Sequence, residues 1–235
     1  YRTENGETIV PLSLHGDESV HVVFRKAATA PTATVSKAEQ VQLATIDGPW
    51  SVAFEPGRGA PATATLAKLT PLNEQSEAGI RYFSGIATYG IDFKAPKGWK
   101  KGAPLWLDLG EAKEVAEVSV NGQVAGQVWH APYRLDVSKA VRSGKNHLEV
   151  RVANLWVNRL IGDERLPPEA EYRPGGPIKA WPDWVYGQGP RPATGRVAFP
   201  AWNHWGKDGA LQESGLIGPV TLRFGQTVTL SLPRE

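Results

Sequence analysis

The residues best suited to chemistry lie late in the chain. Trp181, Trp184, Tyr186, Trp202 and Trp205 fall within 25 residues, His204 sits among them, and Asn158 and Arg159 lie upstream. Indole and phenol rings present flat apolar faces with a polar edge. Amide, imidazole and guanidinium groups beside them add directed hydrogen bonds. A patch combining both suits a ligand that carries C–H faces and hydroxyls on one ring. The competing expectation is that the rings pin a long loop onto its own scaffold, because tryptophan is usually mostly buried. Any single ring is expected to be structural. Five so close together are hard to bury at once, so at least one is expected to face solvent.

Acidic residues accompany the rings. Asp163, Glu164, Asp183, Asp208 and Glu213 could in principle supply the two carboxylates, ~5 to 10 Å apart, that break a glycosidic bond. Their spacing carries no signature, however, and Arg159, Arg165, Arg173, Arg191 and Arg196 are available as ion-pair partners. The structural role is the expected one. Histidine-based metal binding finds no support: His15, His21, His130, His147 and His204 include no helical i, i+4 pair. The absence of cysteine excludes disulfides, thiolate nucleophiles and thiolate metal sites. No cofactor is required. A structural calcium held by backbone carbonyls and carboxylates leaves almost no sequence trace, and the sequence allows one. Gly187-Gln188-Gly189-Pro190 lacks the following helix and lysine of a phosphate loop, and Ser214-Gly215 lacks a G-x-S-x-G context.

What must position these groups is β-structure. Trp50–Glu55 follows an Asp47-Gly48-Pro49 turn signal, and the run from Ile80 to Phe93 keeps Phe83, Ala87, Tyr89, Ile91 and Phe93 on one parity. Leu105, Leu107 and Leu109; Ala116, Val118 and Val120; Leu148, Val150 and Val152; Val220, Leu222 and Phe224; and Val228, Leu230 and Leu232 each alternate with other residues. Such period-two patterns describe strands with one buried face and one wet face. Asn121-Gly122 between two of them predicts a tight hairpin. Asp136 is placed to cap a short turn to Val141. Val20–Phe24 reads as a short strand after a Gly16-Asp17 turn, and Ala27 to Gln40, rich in Ala, Thr and Pro, reads as a linker.

One stretch interrupts the rhythm. Asn158–Arg196 holds no convincing strand and seven prolines, Pro167 to Pro192. Its tryptophans argue against disorder, so it is expected to be an ordered loop laid on the strands. Many short antiparallel strands without alternating helices predict an all-β sandwich or jelly roll.

Charge narrows the partners. The 235 residues carry 26 basic and 24 acidic groups, a formal net charge of +2. That balance predicts no nucleic-acid partner, and no apolar run approaches the ~18 residues of a membrane span. The chain has no methionine, so it is expected to be a piece of a longer translation product.

The motifs carry a resemblance. Val118-Ser119-Val120-Asn121-Gly122, Gly126, Trp129–Tyr133, Leu135-Asp136-Val137 and Gly144–Val150 resemble the galactose-binding-like jelly roll of many glycoside hydrolases. Asn154–Asp163, Trp181-Pro182-Asp183-Trp184, Pro190-Arg191-Pro192 with Gly195-Arg196, Trp202-Asn203-His204-Trp205 with Lys207-Asp208, Ser214–Val220, and Tyr82-Phe83-Ser84-Gly85 with Ala87-Thr88-Tyr89 resemble the C-terminal region of α-L-rhamnosidases of glycoside hydrolase family 106. The match runs from about Leu43 to Phe224. It implies a galactose-binding-like jelly-roll β-sandwich with a long ordered Pro/Trp-rich loop. Residues 1–26 would be a β-remnant of a preceding domain, 27–40 a linker, and 41–235 the jelly roll. The family's catalytic glutamates and calcium site lie in an upstream barrel, so no catalytic residue carries over. The implied function is a non-catalytic C-terminal accessory domain, with the parent's catalytic domain and carbohydrate as partners and, by analogy, a secreted or periplasmic location. An independent carbohydrate-binding module is the alternative, and a self-sufficient glycosidase is third.

Overall fold

A computed structural model describes residues 1–12, 14, 16, 19–27 and 41–225. The predicted Val228–Leu232 strand, residues 28–40 of the linker, His15 and Asp17 lie outside the described residues.

Strands dominate. In chain order they are β1 (Arg2–Glu4), β2 (Glu7–Ile9), β3 (Val41–Thr45), β4 (Trp50–Phe54), β5 (Thr63–Leu66), β6 (Ile86–Lys94), β7 (Trp106–Asp108), β8 (Glu111–Lys113), β9 (Val115–Val120), β10 (Gln123–Val128), β11 (Arg134–Asp136), β12 (Lys145–Ala153), β13 (Gly215–Gly218) and β14 (Thr221–Phe224). Two α-helical segments, α1 (Ala78–Arg81) and α2 (Val157–Asp163), are short. A six-stranded antiparallel sheet, ordered β10-β9-β12-β6-β4-β5, is accompanied by a four-stranded sheet, β11-β7-β14-β3, and a small β13-β8 pair. The fold is the all-β galactose-binding-like sandwich that the alternation predicts.

The alternation sets which face is buried. Trp50, Val52 and Phe54 of β4, Ala87, Tyr89, Ile91 and Phe93 of β6, Ala116, Val118 and Val120 of β9, and Leu148, Val150 and Val152 of β12 point inward. Leu107 and Leu222 of the second sheet meet them, with Leu105, Leu109, Leu216 and Val220 alongside, in one continuous core. Burial of this apolar surface is the main force holding two layers together. The central ladder pairs β6 with β12 over nine residues without a register shift. Asn121 and Gly122 adopt φ of 55° and 77°, the mirror-image turn an Asn-Gly pair favours, between β9 and β10. Asn121 also ties the turn down, donating from Nδ2 to the Ala140 carbonyl and to Asn146 Oδ1, both at 2.8 Å. Asp136 accepts hydrogen bonds from the Ser138 amide and hydroxyl, as a turn cap should.

Two local expectations are corrected. The β-structure near the N-terminus is the β1–β2 hairpin around Asn5-Gly6, and Val20–Phe24 forms no strand. Val20, Val22, Val23 and Phe24 stay exposed, because β-branched composition makes a strand only where a partner ladder and a buried face exist. The run from Ile80 also splits. Ile80 lies within α1, and β6 begins only at Ile86.

Candidate functional site

The excursion between β12 and β13 is ordered, and charge holds it. Its first element is α2, absent from the strand-based reading. Arg159 is buried on α2, with Nε 3.5 Å from Asp163 Oδ1 one turn on and Nη1 3.4 Å from the Arg58 carbonyl. Asp163 accepts two backbone amides through Oδ2, Val197 at 3.0 Å and Ala198 at 2.7 Å. Burial raises the Asp163 pKa against the pull of those amides and of Arg159. Burial likewise lowers that of Arg159.

Two further arginines clamp the loop by forked geometry. Arg196 donates to the Pro167 carbonyl at 2.8 Å, the Leu166 carbonyl at 3.0 Å and Glu164 at 2.8 Å. Arg191 reaches Glu169 and the carbonyls of Val197 and Ala198. A loop rich in proline has too few amides to bond its own carbonyls. Guanidinium donors fill that deficit.

On this frame the aromatic residues separate. Trp184 packs edge-on against Phe199, ring centroids 4.6 Å apart, and lies under the Arg191 guanidinium at 5.2 Å. Trp205 is half-buried with His204 at 5.1 Å, perpendicular to it. Trp181, Tyr186 and Trp202 are exposed, at 46%, 64% and 56%, and His204 is exposed beside them. Backbone pairing of Pro177–Ile178 with Ala201–Trp202 carries Trp202 onto the same ribbon as Trp181, whose ring lies 6.2 Å from that of Phe199. The rings thus divide: Trp184 is packed into the loop, Trp205 is half-buried, and Trp181, Tyr186 and Trp202 are exposed.

Asn158 and Arg159 do not join that patch. Asn158 is buried, donating to the Gln212 carbonyl at 2.7 Å and accepting the Gln212 amide at 2.8 Å. Its amide is consumed in tying α2 to the approach of β13. Among the five acidic candidates, Asp163 is spent on backbone amides and Glu164 on Arg196 and Asn203. Among the described residues, no three His, Asp or Glu side chains converge in a way that could hold a metal ion.

A second surface was not anticipated. On the outer face of the large sheet lies a groove of about 550 Å³, lined by Ser51, Gly90, Asp92, His147 and Glu149 among others. Asp92 accepts from His147 Nδ1 at 2.8 Å and from Lys145 Nζ at 2.9 Å, which hold its carboxyl below the usual carboxylate range.

A two-layer antiparallel jelly roll carrying an ordered aromatic excursion defines a class of β-sandwich modules. Residues 68–189 match the family model described as glycosyl hydrolase 2 galactose-binding domain-like. This chain belongs to that family, and is a galactose-binding-like domain of glycoside hydrolase-type proteins. It is 44% identical over 176 residues to a putative β-glucuronidase of Formosa agariphila, covering 74% of this chain and 15% of that protein. It is also similar to the solved structure of a rhamnosidase from Novosphingobium sp. PP1Y, with 46% identity, a TM-score of 0.73, and coverage of 95% of this chain and 19% of that one. The chain therefore spans less than a fifth of the length of either relative.

Proposed function

We propose that this chain serves as a non-catalytic accessory domain of an α-L-rhamnosidase-like glycoside hydrolase of family 106, placed C-terminal to the catalytic domain it packs against. In this reading residues 1–26 end a preceding β-domain, 27–40 link, and 41–235 form the jelly roll. Export to the periplasm or medium accompanies an enzyme of that kind. The observation that carries the reading is similarity to a rhamnosidase over 95% of this chain, at a small fraction of that protein's length. A module so placed has no need of catalytic carboxylates, and the internal engagement of Asp163 and Glu164 agrees with that.

The exposure of Trp181, Tyr186 and Trp202 favours a second reading, in which the loop also touches sugar, as an extension of a neighbouring site or as an independent binding module. Titrating the 235-residue chain with methyl α-L-rhamnoside while following tryptophan emission separates the two. Quenching that disappears in Trp202→Ala supports sugar contact, whereas an unchanged spectrum supports a purely structural domain. Release of aglycone from an aryl α-L-rhamnoside by the same chain would overturn the non-catalytic reading.

A further inference from the structure

Two Asn-Gly dipeptides occur in the chain, Asn5-Gly6 and Asn121-Gly122, and each turns a hairpin. Their backbones are alike: φ is 51° and 81° at the first, 55° and 77° at the second. A Cβ on either glycine would meet nothing within 4 Å, so neither glycine is screened by neighbours. What differs is the hold on the asparagine. The Asn121 carboxamide is engaged at both ends. Nδ2 donates to the Ala140 carbonyl and to Asn146 Oδ1, both at 2.8 Å, and Oδ1 accepts the His147 amide at 3.1 Å. Asn146 is itself buried and bonded to the backbone of Arg142 and Gly144, which fixes the clamp from behind. The Asn5 carboxamide makes no hydrogen bond among the described residues.

The hairpin that carries Asn5 is also the weaker one. β1 and β2 form a two-stranded sheet of their own, three residue pairs long, and residues 1–8 are all exposed. A two-stranded hairpin without a buried face is marginal in water. Glu4 and Glu7 stand directly opposite each other beside the turn, and like charges so placed oppose the pairing. The turn at Asn5 therefore opens far more often than the turn at Asn121. Opening matters because of a reaction specific to this dipeptide. With no Cβ in the way, a glycine nitrogen can reach the side-chain carbonyl carbon of the asparagine before it. That approach needs rotation of the asparagine backbone out of the tight turn and a carboxamide free to move. We propose that Asn5 is a site of spontaneous deamidation, and that the sandwich withholds the same chemistry from Asn121. The Gly6 nitrogen bonds to Asn5 Cγ, the Cγ–Nδ2 bond breaks, and the Gly6 amide proton leaves with Nδ2 as ammonia. Water then opens the cyclic imide. Attack at Cγ gives an ordinary aspartyl link, and attack at the backbone carbonyl leaves the chain running through Cγ as isoaspartate. Either product adds a carboxylate between Glu4 and Glu7 and weakens the pairing further.

The test is peptide mass spectrometry of the 235-residue chain after incubation in warm, mildly alkaline buffer, both folded and in urea. In urea the Asn5 and Asn121 peptides should exchange amide for hydroxyl at comparable rates. In the folded chain the Asn5 peptide should react nearly as fast as in urea, with isoaspartate identified by electron-transfer fragmentation. The Asn121 peptide should lag behind it by about tenfold or more. Glu7→Lys replaces the opposed carboxylates with an opposite-charge pair far from the core, and should slow the reaction at Asn5. A folded chain in which Asn5 reacts as slowly as Asn121, one in which both react at the rate seen in urea, or a Glu7→Lys chain that reacts as fast as the parent would each overturn the proposal.

Discussion

Individual side chains divide here between those that hold the excursion and those that face outward. The Arg159–Asp163 pair holds it at a desolvation cost to both charges. Removing one partner strands the other, so Asp163→Ala is expected to cost about 3–5 kcal/mol in urea unfolding. The double replacement Arg159→Met with Asp163→Leu should recover only the part due to the stranded guanidinium, because the Val197 and Ala198 amides still lose their acceptor. Arg196→Lys loses the fork that reaches two carbonyls and Glu164 at once, and should cost about 2 kcal/mol in the same measurement. Acid titration separates two signs. Glu55 is held low by the hydrogen bond from Arg58 and then by the Ile86 amide, so it contributes stability above the ordinary carboxylate value that is lost as pH falls through its lowered one. Asp92, Glu117 and Glu171 act in the same direction. Asp163 opposes them: its raised pKa means that acid protonates the folded form first, which favours folding. Unfolding midpoints should therefore fall on acidification below about pH 4, and more steeply in Asp163→Asn than in the parent chain.

Elements were legible in proportion to how local their causes are. β4, β6, β9 and β12 announced themselves because inward residues recur every second position, and Asn121-Gly122 announced the hairpin because its turn needs positive φ at both places. The α2 helix was missed. Seven residues between two extended stretches hold too few turns to show a period, and what stabilises α2 is distant: Ser84 Oγ at the Arg159 amide, Gln212 at Asn158 and Tyr82 against Gly162. The β13 contact is similarly non-local. Gly215 has φ of +91°, and a Cβ there would reach 2.8 Å from Leu72 Cγ and press on the Tyr89 hydroxyl. Gly215→Ala should therefore lower stability by about 2 kcal/mol or more, seen as a fall in melting temperature. A Cβ at Gly90 of β6, by contrast, would meet only ordinary van der Waals contacts, so the two strand glycines differ in what they exclude.

At the scale of the molecule, the sandwich and the excursion rest on different forces. The sandwich buries a continuous apolar core, whereas the excursion contributes few buried apolar residues, Ile161 and Ala198 among them, and is secured by arginine-to-carbonyl bonds. Apolar burial is cooperative across layers, while polar clamps to exposed backbone open locally. Native-state hydrogen exchange should therefore show amides of 164–213 opening well before those of β6, β9 and β12. Equal protection throughout would mean that the excursion folds as one unit with the sandwich.

The sequence alone determined that this is an all-β sandwich, which strand faces are buried, where the tightest hairpin turns, and that the proline- and tryptophan-rich stretch is ordered. Those are consequences of periodicity and composition over a few residues. Only the tertiary structure decided which rings anchor and which face solvent, that Asn158 and Arg159 serve the scaffold, and that a groove crosses the outer face at Gly90. Each of these depends on which distant segments meet, and such meetings are set by sheet order and register, information that no short window of sequence contains.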